Sequence, residues 1–347
     1  MGADALENHT PYAAQPLFLA DENGRPVLSL VIKATYSFET GQLRMAEEQV
    51  PLLLEGTLWA DSARSSYRYE PECAFFKPAT DVVLVGHAYP PQPRATDFLV
   101  GLQVGPLRKV VRVIGDRTWY KSLGSIAITA PRPVESVPLC YERAFGGWDR
   151  SDPDPERHTF EPRNPVGRGF RSQSGRFEEG ILLPNLEDPE NPIKAFRQAV
   201  PPAGFGFLSP HWQPRARYAG TYDEVWKARR MPLLPKDFDR RFMNAASPGL
   251  VSDGYLRGNE AVSITNASRA GQLSFRLPGK PPPTFKVGLK GRRVEQGEAR
   301  LDTVILDTDQ AMAYLLWRAL IPLSSGPHDV MGMEVYTTGG PSAGHKA

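Results

Sequence analysis

Cysteine is nearly absent from this chain: Cys73 and Cys140 are the only two in 347 residues. With no C-x-x-C spacing, a zinc ribbon or a thioredoxin-type redox centre has no ligand pattern to stand on. Both thiols are expected to be buried and reduced, as free cysteines usually are. Long apolar runs are missing too. A stretch such as Ala311 to Trp317 falls far short of the roughly 20 residues that span a bilayer. The opening residues, MGADALENHT, carry neither a basic region nor an apolar core, so no secretory signal is read there. Leu6 stands where a myristoylation site wants Ser or Thr. A soluble, cytoplasmic protein with no membrane partner is the expectation. Neither sign of charge is in excess: 41 Lys and Arg face 39 Asp and Glu, a net charge of +2. That removes the global argument for nucleic acid.

Catalytic and metal signatures are equally scarce. There is no G-x-S-x-G elbow and no P-loop. Gly167-Arg168-Gly169 lacks the third glycine and the preceding strand of a dinucleotide fingerprint. The six histidines, at 9, 87, 158, 211, 328 and 345, never recur at i, i+3 or i, i+4, so the helical zinc pattern has no basis. His87 ends an apolar strand and reads as structural. Asp149, Asp152 and Asp154 gather three carboxylates beside Trp148, but without the glycine and terminal glutamate of a calcium loop. A solvated acidic loop is the better reading. No metal and no cofactor are expected.

What the chain has in quantity is backbone punctuation. Its 31 Gly and 34 Pro make nearly a fifth of the residues, against about 12% on average usage. Proline removes a ladder donor and glycine weakens any regular element, so long helices are disfavoured. The pattern predicts a mainly β fold, with antiparallel sandwich- or barrel-like sheets around a central irregular insert with short helices. Residues 1–145 form a first β-rich portion. It holds strands at Val27 to Phe38 and Asp81 to Val85 and a hairpin joining Phe98–Val104 to Lys109–Ile114 across Gly105-Pro106. Residues 146–249 are the insert and candidate partner surface. Its Gly146 to Pro184 stretch has little periodicity and reads as a long functional loop. Three short helices are expected after it. One starts at Asn191-Pro192 with Ile193, Phe196 and Val200 on one face. Another is opened by Thr221 and Glu224 as a capping box, carries Tyr222, Val225 and Trp226, and is stopped by Pro232. The third starts at Pro235 with Phe238 and Phe242 at i, i+4. Residues 250–337 return to short strands and pack with the first portion. Asp307 to Gln310 reads as a hairpin turn, so Ala311 to Leu320 is expected to return as a strand despite its helical propensity. Residues 338–347 are expected to be a disordered tail.

The stretch from His211 to Met243 mixes eight basic residues with four acids, a local +4, and interleaves them with Trp212, Tyr218, Tyr222, Trp226, Phe238 and Phe242. Three readings stay open on composition. The aromatics can pack short helices onto the sheet, the Trp, Tyr and Arg can anchor a protein interface, or the segment can stack a single nucleic-acid strand. Paired carboxylates among Glu142, Asp149 and Asp307 leave a hydrolytic β enzyme as a rival, provided two lie roughly 5 to 10 Å apart in a cleft. Asp307 and Asp309 fit a turn equally well.

Three stretches together carry a resemblance: YERAFGGWD at Tyr141 to Asp149, NPVGRGF at Asn164 to Phe170, and AGTYDEVWKARRMPLLPKDFDRRFMNAA within Trp212 to Ala246. From about Val27 to Tyr336 the chain resembles a bacterial family known as domain of unknown function 2169, encoded among type VI secretion clusters. The resemblance implies an adaptor or chaperone without catalysis that helps load a secreted effector protein onto the spike, with a spike or PAAR-type tip protein as further partner. It brings no catalytic residues to carry over. Its motif positions include Gly146, Gly147, Asn164, Gly167, Gly169, Thr221, Pro232 and Pro235, with Glu224 completing the capping box, and these serve the fold. The candidate contacts are Trp148, Trp212, Arg215, Arg217, Trp226, Arg229 and Arg230.

Overall fold

The computed structural model describes residues 6–60 and 64–337. Its central sheet is built on Pro26–Ser37, a strand rich in β-branched and aromatic residues. That strand pairs antiparallel with Ala13–Ala20 on one side and with Met312–Pro322 on the other. Met312–Pro322 pairs antiparallel with Arg300–Asp307, which runs parallel to Asp81–Val85 at the far edge. The expected return of the chain after Asp307 is thus a strand. Asp307 Oδ1 accepts from the backbone N–H of Asp309 at 2.9 Å and of Gln310 at 3.0 Å, which folds the turn and overrides the helical propensity of Ala311 to Leu320.

Strand side chains alternate in direction, and the two faces of this sheet differ in chemistry. Leu28, Leu30, Ile32 and Ala34 share one face with Leu315, Trp317, Ala319 and Ile321, their register partners or near neighbours across the pair. All are buried. The other face carries Ser29, Lys33 and Thr35 beside Arg318, and residues 49–51 and 72–74 lie over it. There Lys33 Nζ meets Glu72 Oε1 at 2.7 Å, and Arg318 Nε meets Asp302 Oδ2 at 2.6 Å. All four of these side chains are almost wholly buried. A buried charge is tolerable only when paired in this way.

A second sheet runs in the order Leu186–Glu187, Leu107–Ile114, Asp97–Val104, Ala261–Thr265, Gln272–Arg276. It contains the expected hairpin across Gly105-Pro106. A third runs Leu6–His9, Val330–Tyr336, Thr284–Leu289, Arg293–Glu298. The fold is mainly β and largely antiparallel, and among the described residues no sheet closes into a barrel. Residues of the first, central and last stretches enter one core, for example Ile32, Phe205 and Leu315. Cys140 is buried and its thiol is pushed up to about 12 by burial, whereas Cys73 is half-exposed, so the expectation of two buried thiols holds for one of them.

The helices need correction. No helix starts at Asn191-Pro192. The Gln198 side-chain oxygen accepts from the N–H of Lys194 at 2.7 Å and of Ala195 at 3.1 Å, and Arg197 sits at φ +66°, closing an irregular turn. Its apolar residues still go inward: Ile193 and Val200 form a small second core with Trp119, Phe145 and Leu183. The helix after Thr221 exists as Glu224–Arg229, but Asp223 is its cap, accepting from Trp226 N at 2.7 Å. Thr221 instead bonds Asp237 through its N–H at 3.0 Å and its hydroxyl at 2.7 Å. Glu224 lies 3.8 Å from Lys227 and completes no capping box. Beyond Pro235 there is a turn and then a 3-10 helix, Arg240–Met243, capped by Asp239. The expected tail lies outside the described residues.

Candidate functional site

The motif segments 141–149 and 164–170 fold into each other. Phe145–Gly146 pairs parallel with Arg168–Gly169, and Trp148–Asp149 pairs antiparallel with Thr159–Phe160, so the expected irregular loop begins as two short ladders. Asn164, fully buried, locks the crossing: its Nδ2 donates to Tyr141 O at 2.8 Å and to Phe145 O at 3.0 Å. Its backbone carbonyl accepts from Gly147 N at 2.8 Å and Gly167 N at 3.3 Å. Glycine is required at 146 and 147. Both have positive φ, +151° and +92°, and a Cβ would lie 2.1 Å from Asn164 O or 2.3 Å from Gly167 O. The five structural residues of this part of the sequence therefore act together.

The crossing holds a neighbouring carboxylate. Asp149 accepts from Ser151 through its N–H and hydroxyl, at 3.1 and 2.7 Å, and from Ser172 likewise, at 3.0 and 2.8 Å. Burial works against ionisation, but these hydrogen bonds outweigh it and hold the carboxyl down at about 2. Asp149 thus ties the 171–176 turn to Trp148. Next to it, Trp148 projects outward, 41% exposed, with its ring 4.6 Å from that of Phe160 across the ladder. The Arg150 guanidinium lies over Trp148 at 5.2 Å. The pair lines an open cleft of about 710 Å³ together with Arg64, Arg150, Arg171, Val166 and Trp212.

The central basic segment is arranged differently. Trp212 is 1% exposed, its ring 5.4 Å from that of Tyr141 in an edge contact, and belongs to the core. Arg215 is also buried. Its Nε donates to Phe242 O at 2.8 Å, and Nη1 donates to Leu208 O at 2.7 Å and to Glu70. Both side chains are buried, so neither projects from the surface as the sequence suggested, though Trp212 contributes to the cleft lining. Arg230 ties the helix to the turn after Ala20, donating to Glu22 O at 3.1 Å and Asn23 Oδ1 at 2.9 Å. Trp226 is half-buried and donates to Leu233 O at 2.8 Å. Arg240 and Arg241 pair with Glu22 and Asp239. Arg217 and Arg229 remain at the surface, Arg217 over the Tyr218 ring at 4.8 Å. Pro232 follows a cis peptide bond and Pro235 is buried.

The other carboxylates serve the fold. Glu142 accepts from the hydroxyls of Ser65 and Ser66, both at 2.6 Å, and from Ser66 N at 2.7 Å. Burial raises its carboxyl, yet those bonds prevail and leave it below the ordinary range. Asp307 accepts from Tyr69 and makes the turn that leads into Met312–Pro322. Asp152 and Asp154 cap local turns at Asp154 N and Glu156 N. Among the described residues no group of three His, Cys, Asp or Glu could hold a metal ion, and no helix is long and apolar enough to cross a membrane. His87 Nδ1 lies 2.9 Å from Asp309 Oδ1, half-exposed beside Trp59.

Sequence reasoning found Trp148 but missed Phe160, Arg150 and Arg171, which complete its cleft. The W-D-R run at 148–150 was a visible signal for Arg150. Phe160 and Arg171 come from further along the chain, and their approach follows from the crossing at Asn164. No curated protein and no solved structure matches the chain. The profile described as an uncharacterized protein conserved in bacteria (DUF2169) matches residues 23–318, so the chain belongs to that bacterial family.

Proposed function

We propose that this protein is a non-catalytic adaptor or chaperone that holds a type VI secretion effector and helps bring it to the spike complex from the cytoplasmic side. The observation that carries this reading is the open cleft beside the exposed Trp148–Phe160 pair, lined in part by arginines and mounted on the Asn164 crossing. Interfaces concentrate their energy in aromatic and arginine anchors of this kind, surrounded by a polar rim. The resemblance carried by the motif segments points to the same role.

A carboxylate-pair hydrolase has less support. Such an enzyme needs one carboxyl raised to act as the acid, and Glu142 and Asp149 both lie low and are fully hydrogen-bonded. The nucleic-acid reading loses half of its local charge, because Arg215 and Arg240 are paired with Glu70 and Glu22 from outside the segment.

Co-expression with the effector and spike products of the neighbouring genes, followed by affinity purification, tests the proposal. The expected result is a complex that survives with wild type and is weakened at least tenfold by Trp148→Ala, with Arg229→Ala having a smaller effect. Absence of any complex with those products, from a folded wild-type protein, would overturn the adaptor reading.

A further inference from the structure

The cleft beside Trp148 has an internal occupant that points to its ligand. Arg171 is largely buried, its side chain 14% exposed, and lies in the cleft wall. Its Nη1 donates to Phe170 O at 3.0 Å, and its Nη2 reaches Glu178 Oε2 at 3.3 Å. Glu178 belongs to the same stretch of chain, and its side chain is 61% exposed. An exposed acid therefore sits on a held arginine at the cleft's edge. Asp149 Oδ1 is 4.0 Å from Arg171 Nε, and its own hydrogen bonds are taken by Ser151 and Ser172. Arg150 has an aromatic face against it, and among the described residues no acid lies within ion-pair distance. Among the described residues the cleft lining carries Arg150 and Arg171 with one acid, Glu178. Trp148, Phe160 and Trp212 give it aromatic surface.

We propose that this cleft binds an extended acidic–aromatic segment of a partner protein. One carboxylate side chain of that segment takes the place of Glu178 on Arg171, and an aromatic side chain packs against Trp148 and Phe160 beneath Arg150. Charge complementarity selects the acidic segment, because Arg150 and Arg171 flank the aromatic pair in the cleft lining. Glu178 then acts as a tethered competitor. It neutralises Arg171 in the free protein and, being exposed, swings away at little cost. The volume of about 710 Å³ falls in the range of about 300–1,000 Å³ typical of ligand sites. A segment held this way is recognised by composition and spacing of two side chains, which suits a carrier of cargo. The inference rests on the adaptor reading for its biological sense, but not for its chemistry.

The test uses the full chain and end-blocked fluorescent peptides with the repeats Asp-Trp-Gly, Lys-Trp-Gly and Asp-Ser-Gly, read by fluorescence polarisation. Asp-Trp-Gly is expected to bind at least tenfold more tightly than either control and to weaken as salt rises. Trp148→Ala and Arg150→Ala, both at exposed positions, should each weaken it about tenfold while the melting temperature holds. Glu178→Gln should tighten it several-fold, whereas a pair of purely structural value would leave binding unchanged or lower. Equal binding of the lysine peptide, full binding by folded Trp148→Ala, or unchanged or weaker binding by Glu178→Gln overturns the proposal. So does a Trp148-dependent preference for a single-stranded oligonucleotide. Peptide binding without capture of the secretion proteins would sink the adaptor reading and leave the cleft assignment standing; the reverse outcome would do the opposite.

Discussion

Two regions of this molecule are rich in arginine and aromatics, and they use them in opposite ways. In 211–243 four of the six guanidiniums turn inward or sideways, Arg215 to Glu70, Arg230 to Glu22 O and Asn23, Arg240 to Glu22 and Arg241 to Asp239, while Arg217 and Arg229 stay at the surface. Around Trp148, Arg150 meets a ring and Arg171 meets one exposed acid. Composition counted both regions alike. What separates them is the residue opposite each charge, and Glu22 and Glu70 lie far away in the chain. A basic stretch keeps charge at its surface only where folding brings few acids against it.

The largest effect that would test this contrast is at Arg215. Replacing it with Met leaves Glu70 and two carbonyl oxygens unpaired in the interior, with an expected cost of about 3–5 kcal/mol. Arg150→Ala should stay within about 0.5 kcal/mol. Urea unfolding of both variants checks the pair, and similar losses would erase the distinction between a structural and a surface arginine.

Asp149 gives a smaller, pH-dependent effect on the cleft side. Asp149→Asn loses charge-assisted bonds to Ser151 and Ser172, each of a class worth about 1.5–3 kcal/mol; a total near the low end is expected, since the amide keeps one acceptor. The folded carboxyl titrates at about 2, below its ordinary 3.8. Its stabilisation is therefore complete above pH 4 and disappears as pH falls toward 2. Melting curves of wild type and variant should converge over that window. A gap that persists at pH 2 would show that charge is not what holds the loop.

Much of the β architecture was legible because it is local. Asp81–Val85 is a continuous apolar run, Gly105-Pro106 is a turn between two runs, and Asp307 carries its own turn. Ala13–Ala20 was hidden by Pro16, which an edge strand tolerates. Arg293–Glu298 was hidden by three charged residues, a Gln and a Gly around its one apolar side chain, Val294. The site was half legible. Gly146, Gly147, Gly167 and Asn164 stood out as motif residues, but their meeting depends on contacts some 20 residues apart along the chain. The burial of Trp212 and Arg215 was invisible, since an amphipathic composition fits an anchor and a core residue equally.

The smallest effect sharpens the comparison from the helix side. The T-x-x-E pattern at Thr221 and Glu224 predicts a capping box, yet Asp223 accepts the N-terminal hydrogen bond from Trp226. Asp223→Ala should therefore cost about 1 kcal/mol, seen as faster amide exchange at Trp226 and its neighbours. Glu224→Ala, whose exposed carboxylate meets Lys227 at 3.8 Å, should change exchange by less than half as much. Because the helix Glu224–Arg229 has no buried residue, its fraying should leave the cleft and its peptide binding untouched. If Asp223→Ala weakened that binding as strongly as Trp148→Ala, the two basic regions would form one surface, and the division between them would fail.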